Sequence, residues 1–164
     1  MRNLLDLIYD YQLLRTKEQK LSIELDGDER AQLLGLSRML GERTPSATSR
    51  RAMPRVPVPL PSQFTLPGGF ESGEIKNLSG GGMLIATPRP PMPGTRVVVR
   101  IAEPTGGREF FFPCRVVWRV SGPRGRMGVV FDGIPTRDAF LQETTGVWRR
   151  SMRLGDQRVV PMVA

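Results

Sequence analysis

Two short groups of polar residues carry the side chains best suited to bind a ligand. In the first group, Arg51 and Arg55 are four residues apart and Arg50 precedes them. A planar guanidinium group can grip phosphate or the O6/N7 edge of guanine through two hydrogen bonds, and it can also stack on a purine ring. The first group therefore predicts contact with a small anion that contains a purine.

The second group runs from Asn77 to Gly82, with the sequence Asn-Leu-Ser-Gly-Gly-Gly. Asn77 can donate to and accept from a base edge, and Ser79 offers a hydroxyl group at a turn. Gly82 allows close approach of the backbone or a positive φ. Each group alone also fits ordinary surface or turn chemistry. An arginine pair, a strand and then this turn, in that order, predict a nucleotide site.

Composition limits the classes of function. The 164-residue chain contains no histidine and one cysteine, Cys114. It therefore lacks the commonest general base and the usual zinc ligands, so we expect no enzyme, no metal site and no cofactor. A lone cysteine excludes a disulfide framework and favours a reducing compartment, so we expect a cytoplasmic protein. No apolar run approaches the ~20 residues of a membrane span, and we expect no membrane partner.

The net charge of +8 is unevenly distributed, at −1 for residues 1–43 and +9 for residues 44–164. A basic segment attracts polyanions, so a β-barrel that binds nucleic acid is one alternative. Most aromatic side chains, however, occupy alternating positions typical of a core, which makes nucleic acid the less favoured partner. These core candidates are Phe110, Phe112, Trp118 and Phe131.

Residues 1–41 are predicted to form a helical leader. Leu4, Leu7, Ile8, Tyr11 and Leu14 make an apolar stripe over residues 2–20, and a second helix follows Asp26 or Asp28 and ends near Gly41. Two short amphipathic helices must bury their stripes against each other, a partner or the rest of the chain. The leader is thus predicted to dock on a protein partner or to dimerise, or else to pack on the following domain. Both a monomer and a homodimer stay open.

Residues 42–49 read as a linker, and short strands separated by turns follow from Val56. Such strands predict a small antiparallel barrel, whose first strand is proline-rich and suits a sheet edge. Residues 136–150 have helical spacing and predict a closing helix. The main domain is therefore assigned to residues 50–150, and residues 151–164 are expected to form a partly disordered tail. The predicted strands span residues 56–60, 70–77, 83–86, 96–102, 109–120 and 127–131.

The two polar groups together resemble the motifs of the PilZ domain family, R-x-x-x-R and [D/N]-x-S-x-x-G. Both motifs are complete here, at 51–55 and 77–82. Residues 114–118 and 127–131 are similar to the last two strands of the family, and the resemblance covers about residues 49–150. It implies a mainly β fold, a six-stranded antiparallel barrel with a C-terminal helix, preceded here by the N-terminal helical pair.

The resemblance also implies a ligand, cyclic di-GMP. Arg51 and Arg55 would contact guanine faces and phosphates, Asn77 and Ser79 would read the guanine edge and backbone, and Gly82 would permit the turn. The predicted function is that of a bacterial adaptor. Ligand would draw the arginine arm, residues 43–55, onto the barrel and change the surface offered to an unidentified protein partner, with the N-terminal helices as the candidate contact. The alternative is a degenerate PilZ domain that binds only proteins.

Overall fold

The structure is a computed structural model that describes residues 3–42, 53–104, 107–142 and 148–153, with the backbone alone from residue 139 onward. Within these residues, two helices precede the strands. Their bounds are α1 (Leu4–Gln19), α2 (Gly27–Met39), β1 (Val56–Leu66), β2 (Gly69–Leu78), β3 (Gly82–Ala86), β4 (Arg96–Ala102), β5 (Arg108–Val120), β6 (Arg126–Phe131), β7 (Thr136–Gln142) and β8 (Trp148–Arg153).

Six of the strands close into an antiparallel barrel. The ring order is β1-β2-β3-β6-β5-β4, and pairing of β4 with β1 closes it. Alternation places one face of each strand inside, because successive side chains point to opposite sides. The barrel and the two N-terminal helices confirm the predicted mainly β fold. The interior includes Phe64, Ile75, Ile85, Val99, Ile101, Phe110 and Phe112, all 0–1% exposed.

Strand β1 is only partly an edge strand. Its proline-containing half pairs with β2 alone, and the register shifts between Pro57 and Leu60. The second half also pairs with β4, at Gln63 and Phe64. Proline lacks an N–H, so the prolines lie where no second strand needs that donor.

The C-terminal helix predicted over residues 136–150 is wrong for the residues that the structure describes there. Thr136–Gln142 forms β7 and Trp148–Arg153 forms β8. Strand β5 continues past the end of β6, so residues 108–111 expose an unpaired row of N–H and C=O groups on that side. β7 pairs with this row. The hydrogen bonds that these backbone groups gain outweigh the weak helical spacing of the side chains in residues 136–142. The predicted tail begins inside β8, and its remainder lies outside the described residues.

Helix α1 packs on the barrel, as one of the open interpretations of the leader predicted. Leu5, Ile8, Tyr11 and Leu14 belong to the same apolar core as the barrel side chains. The buried carboxylate of Asp6 fixes the first turn. It accepts hydrogen bonds from Arg108 (2.9 and 3.0 Å) and Arg137 (2.8 Å). Docking on a partner and dimerisation remain predictions.

Helix α2 begins at a capping box, in which Asp26 accepts from the Glu29 N–H and the Glu29 side chain accepts from the Asp26 N–H. This reciprocal pair satisfies two donors that a helix start leaves free. Leu36 and Leu40 are buried, whereas Leu34 and Met39 are 53% and 68% exposed. No helix among the described residues is long and apolar enough to cross a membrane.

Candidate functional site

A cleft of about 410 Å³ lies where the β2–β3 turn, strands β5 and β6 and helix α1 meet. Its volume falls in the range of small-molecule sites, ~300–1,000 Å³. Four of the predicted site residues line it together: Arg55, Asn77, Ser79 and Gly82. The others, Arg50 and Arg51, lie outside the described residues. The remaining lining residues are Arg15, Met53, Gly81, Met83, Val117, Trp118, Gly128, Val129 and Val130.

The turn from Ser79 to Gly82, here called the glycine turn, is organised by the serine. The Ser79 N–H donates to the Gly82 carbonyl (2.9 Å), and the Ser79 hydroxyl oxygen accepts from the N–H groups of Gly81 (3.3 Å) and Gly82 (3.2 Å). The Gly81 carbonyl accepts from the Phe131 N–H at 3.1 Å. The serine hydroxyl therefore shapes the turn, and Ser79 lines the cleft.

Glycine at position 82 is required by close packing. A Cβ there would collide with the carbonyl oxygen of Val129, and it would lie 3.1 Å from Val130 Cα. The φ of Gly82 is not in the left-handed region. Of the two sequence-based reasons for this glycine, close approach of the backbone is therefore the one that applies.

An irregularity in strand pairing turns Asn77 toward the cleft. The β2–β3 register shifts between Ile75 and Asn77. Ile75 is 0% exposed and Leu78 is 1% exposed, so the inward positions change from odd to even numbers across the shift. Regular alternation would have placed Asn77 inside with Ile75. A bulge of this kind re-aims a side chain beside a site.

A second irregularity does the same for Trp118, which the sequence wrongly placed in the core. The β5–β6 register shifts between Val116 and Trp118. Val116 is 1% exposed, whereas Trp118 is 37% exposed and lines the cleft. Its indole lies over Gly128, where a Cβ would collide with Nε1 and Cε2. Phe110 and Phe112 are buried as predicted, and Phe131 is half-buried.

The described part of the arginine arm is anchored beside the glycine turn. Met53 is buried, and its side chain fills the space where a Cβ of Gly80 would lie; that space is also bordered by Leu40, the residue that follows helix α2. Arg55 follows two residues later, is exposed and lines the cleft. Met53 thus packs between the end of α2 and the turn, while Arg55 reaches the site.

The cleft is suited to an anion. Two arginines, Arg15 and Arg55, line it, and none of the described lining residues is acidic. Guanidinium groups beside an apolar surface attract phosphate, because a lower local dielectric strengthens the interaction. Val117, Trp118 and Val130 supply apolar area that can cover a base.

Sequence reasoning missed two of these residues, Arg15 and Trp118. Arg15 lies just beyond the apolar stripe of α1, where any solvated charge could stand. Trp118 continues an alternating run, and nothing in that run marks the shift of register. The only sequence feature that could have suggested its position is Gly128, a glycine inside a predicted strand, which often marks close approach of another group.

The family described as PilZ domain matches residues 49–144. No curated protein matches the chain. Among solved structures, the chain is similar to the PilZ domain of CeSA from a cellulose-synthesizing bacterium, with 21% identity over 49% of this chain and 81% of that chain and a TM-score of 0.39. The family match covers more than half of the 164 residues, and the chain therefore belongs to the PilZ domain family.

Proposed function

We propose that the protein binds cyclic di-GMP in the cleft and acts as an adaptor. PilZ domains are generally cyclic di-GMP-binding adaptor modules and generally non-catalytic. The observation that carries the proposal is the meeting of Arg55, Asn77, Ser79 and Gly82 at one cleft. These residues come from both family motifs and from separate elements, so their convergence is a property of the fold.

Each residue has a role that its chemistry supports. Arg55, joined by Arg51 and Arg50 from the preceding segment, binds phosphate and covers guanine. Asn77 hydrogen-bonds a guanine edge, for which its amide offers both a donor and an acceptor. The glycine turn presents Ser79 and backbone groups. Trp118 offers an aromatic face for stacking on a base, a contact worth about 1–3 kcal/mol per base in proteins that bind single-stranded nucleic acids.

The adaptor role is supported by the contacts of Met53. Because Met53 and Leu40 both lie against Gly80, a ligand that draws Arg55 into the cleft also acts on the chain where helix α2 ends. A ligand shifts a conformational equilibrium only through different affinity for the two states, and the arm supplies that difference. The exposed Leu34 and Met39 of α2 are candidate contacts for a protein partner.

Calorimetry with cyclic di-GMP tests the proposal. Arg51→Ala and Arg55→Ala should each weaken binding by about 1.5–3 kcal/mol, the value of a hydrogen bond to a charged group. Arg89→Ala is the matched control, because Arg89 is 78% exposed, pairs with Glu71 at 3.1 Å and does not line the cleft. Unchanged affinity in both test variants would remove these arginines from the site.

The same titration separates the alternatives. A degenerate domain would give no heat with cyclic di-GMP at any salt concentration. A nucleic-acid binder would bind single-stranded nucleic acid instead, and its affinity would fall steeply as salt rises. Hydrogen exchange adds a test of the adaptor role, since amides near Leu40 should change protection when ligand binds and should not change in Arg55→Ala.

A further inference from the structure

We propose that Arg15 of helix α1 is a fourth ligand-binding arginine, beside Arg50, Arg51 and Arg55, which makes the N-terminal helix one wall of the nucleotide site. This inference rests on the proposed function and extends it to a residue outside both family motifs. The family match begins at residue 49, so it does not include α1. Arg15 nevertheless lines the same cleft as Arg55 and Asn77.

The guanidinium of Arg15 is held in place by its own helix. Its Nε donates to Gln19 Oε1 at 3.1 Å, and its Nη1 donates to the Tyr11 hydroxyl at 3.0 Å. Its Cζ also lies 5.7 Å from the centroid of the Tyr11 ring, a cation–π contact. Tyr11 is 2% exposed, so this support is rigid. A preorganised guanidinium loses less conformational entropy when it binds an anion.

The helix that carries Arg15 is itself fixed to the barrel at the site. Gln12 donates through Nε2 to the carbonyl of Gly80 in the glycine turn. The hydroxyl of Thr16 donates to the Gly133 carbonyl at 3.2 Å, beyond the end of β6. Residues three and four apart share one face of a helix, so Gln12, Arg15 and Thr16 all face the barrel side. Arg15 therefore meets a ligand without movement of α1.

The cleft offers the charge of Arg15 no direct carboxylate partner among the described residues. Within the described ranges, neither Arg15 nor Arg55 forms a direct ion pair with a carboxylate; Glu42 reaches Arg15 only through the Tyr11 hydroxyl that both contact, and no acidic side chain from those ranges lines the cleft. Basic residues at the C-terminal end of α1 and just beyond it do have such partners, since Lys17 pairs with Glu29 and Lys20 with Asp132. A cyclic dinucleotide has two phosphates, and Arg15 and Arg55 supply cations from two different elements for them.

Titration calorimetry of the full chain with cyclic di-GMP tests the inference. We expect Arg15→Ala to weaken binding about tenfold, the lower end for a charge-assisted contact because Arg15 is half-exposed. Arg15→Lys should recover part of the loss, since it keeps the charge but not the planar fork. Arg38→Ala removes the same charge from an exposed position on α2 and should bind within about twofold of wild type.

The outcomes are distinguishable. If wild type binds but Arg15→Ala and Arg15→Lys both bind within about twofold of it, the role of Arg15 is refuted while the proposed function stands. If wild type does not bind, the proposed function fails and the inference fails with it. Hydrogen exchange adds a readout that a merely structural role would not move. Ligand should increase protection at residues 11–19 in wild type and in Arg38→Ala, and much less in Arg15→Ala.

Discussion

Replacing Gly82 by alanine should test the geometry of the cleft more sharply than any charge reversal. The new Cβ would collide with the Val129 carbonyl oxygen and lie 3.1 Å from both Val129 C and Val130 Cα. All three atoms belong to the backbone of β6, which cannot turn away as a side chain can. Relief therefore requires β3 and β6 to separate, and overpacking of this kind costs about 1–3 kcal/mol.

The neighbouring glycine provides the matched control. A Cβ at Gly81 meets only the Ser79 hydroxyl, at 3.9 Å, which is ordinary contact. Gly81→Ala should leave the free energy of unfolding unchanged or raise it by about 0.4–1 kcal/mol, because alanine reduces the entropy of the unfolded chain. The two variants differ by one position and by no charge, so their comparison isolates the effect of the close approach.

Urea unfolding at equilibrium measures both variants, with the slope m checked to be the same in each. We expect Gly82→Ala to be less stable than Gly81→Ala by at least about 1 kcal/mol. Gly82→Ala should also bind cyclic di-GMP more weakly, since the Ser79 N–H donates to the carbonyl of residue 82. Equal stability of the two variants would refute the explanation that glycine is required at position 82 because the backbone of β6 lies so close to it.

Two ion-pair predictions concern how helix α1 is held. Asp6→Ala should lower the free energy of unfolding by about 2–3 kcal/mol, somewhat less than a fully buried pair, because the Arg108 and Arg137 side chains are 33% and 35% exposed. The hydrogen bond from Lys20, with help from two nearby arginines, lowers the pKa of Asp132 from its ordinary value. The stabilisation that this shift provides is fully present above the unfolded pKa of ~3.9, and it is lost as the pH falls through the folded pKa of Asp132. The loss of stability caused by Asp132→Asn, measured by urea unfolding, should therefore be largest near pH 7 and should fade below about pH 4.

Glu24→Ala serves as the control for both predictions, because its side chain is 91% exposed and its pairing distance to Arg30 is 3.9 Å. It should change stability by less than about 0.5 kcal/mol at either pH. A loss in Asp6→Ala no larger than this would show that the buried carboxylate does not hold α1. A deficit in Asp132→Asn that grows with acid would contradict the sign of the pKa shift.

Much of the fold could be predicted from local pattern. Val97, Val99 and Ile101 alternate cleanly, and the strand that contains them runs from Arg96 to Ala102 as expected. The turn chemistry of Ser79 and Gly82 likewise marked the site, because serine hydrogen bonds and glycine packing act within a few residues. These features depend on residues that are close together in the sequence, so they can be predicted from the sequence alone.

The features that failed depend on partners far along the chain. Trp118 reaches the cleft only because β5 shifts register against β6, and a register shift is a property of two strands. Arg15 reaches it because long-range contacts hold α1 on the barrel, such as the hydrogen bonds from Gln12 to the Gly80 carbonyl and from Arg108 to Asp6, 102 positions away. The prediction of a C-terminal helix was wrong for the same reason. Thr136 begins β7, which pairs with the part of β5 that β6 leaves unpaired.

The shared core of α1 and the barrel limits how this protein can be divided. Leu5, Ile8 and Tyr11 are almost entirely shielded from water in the apolar core that they share with the barrel, so they in turn cover an apolar end of the barrel. A recombinant fragment cut at the family boundary would leave that apolar end bare and strand Arg108 without Asp6. Fusion proteins that join this barrel to a different N-terminal segment should therefore aggregate unless they also include α1.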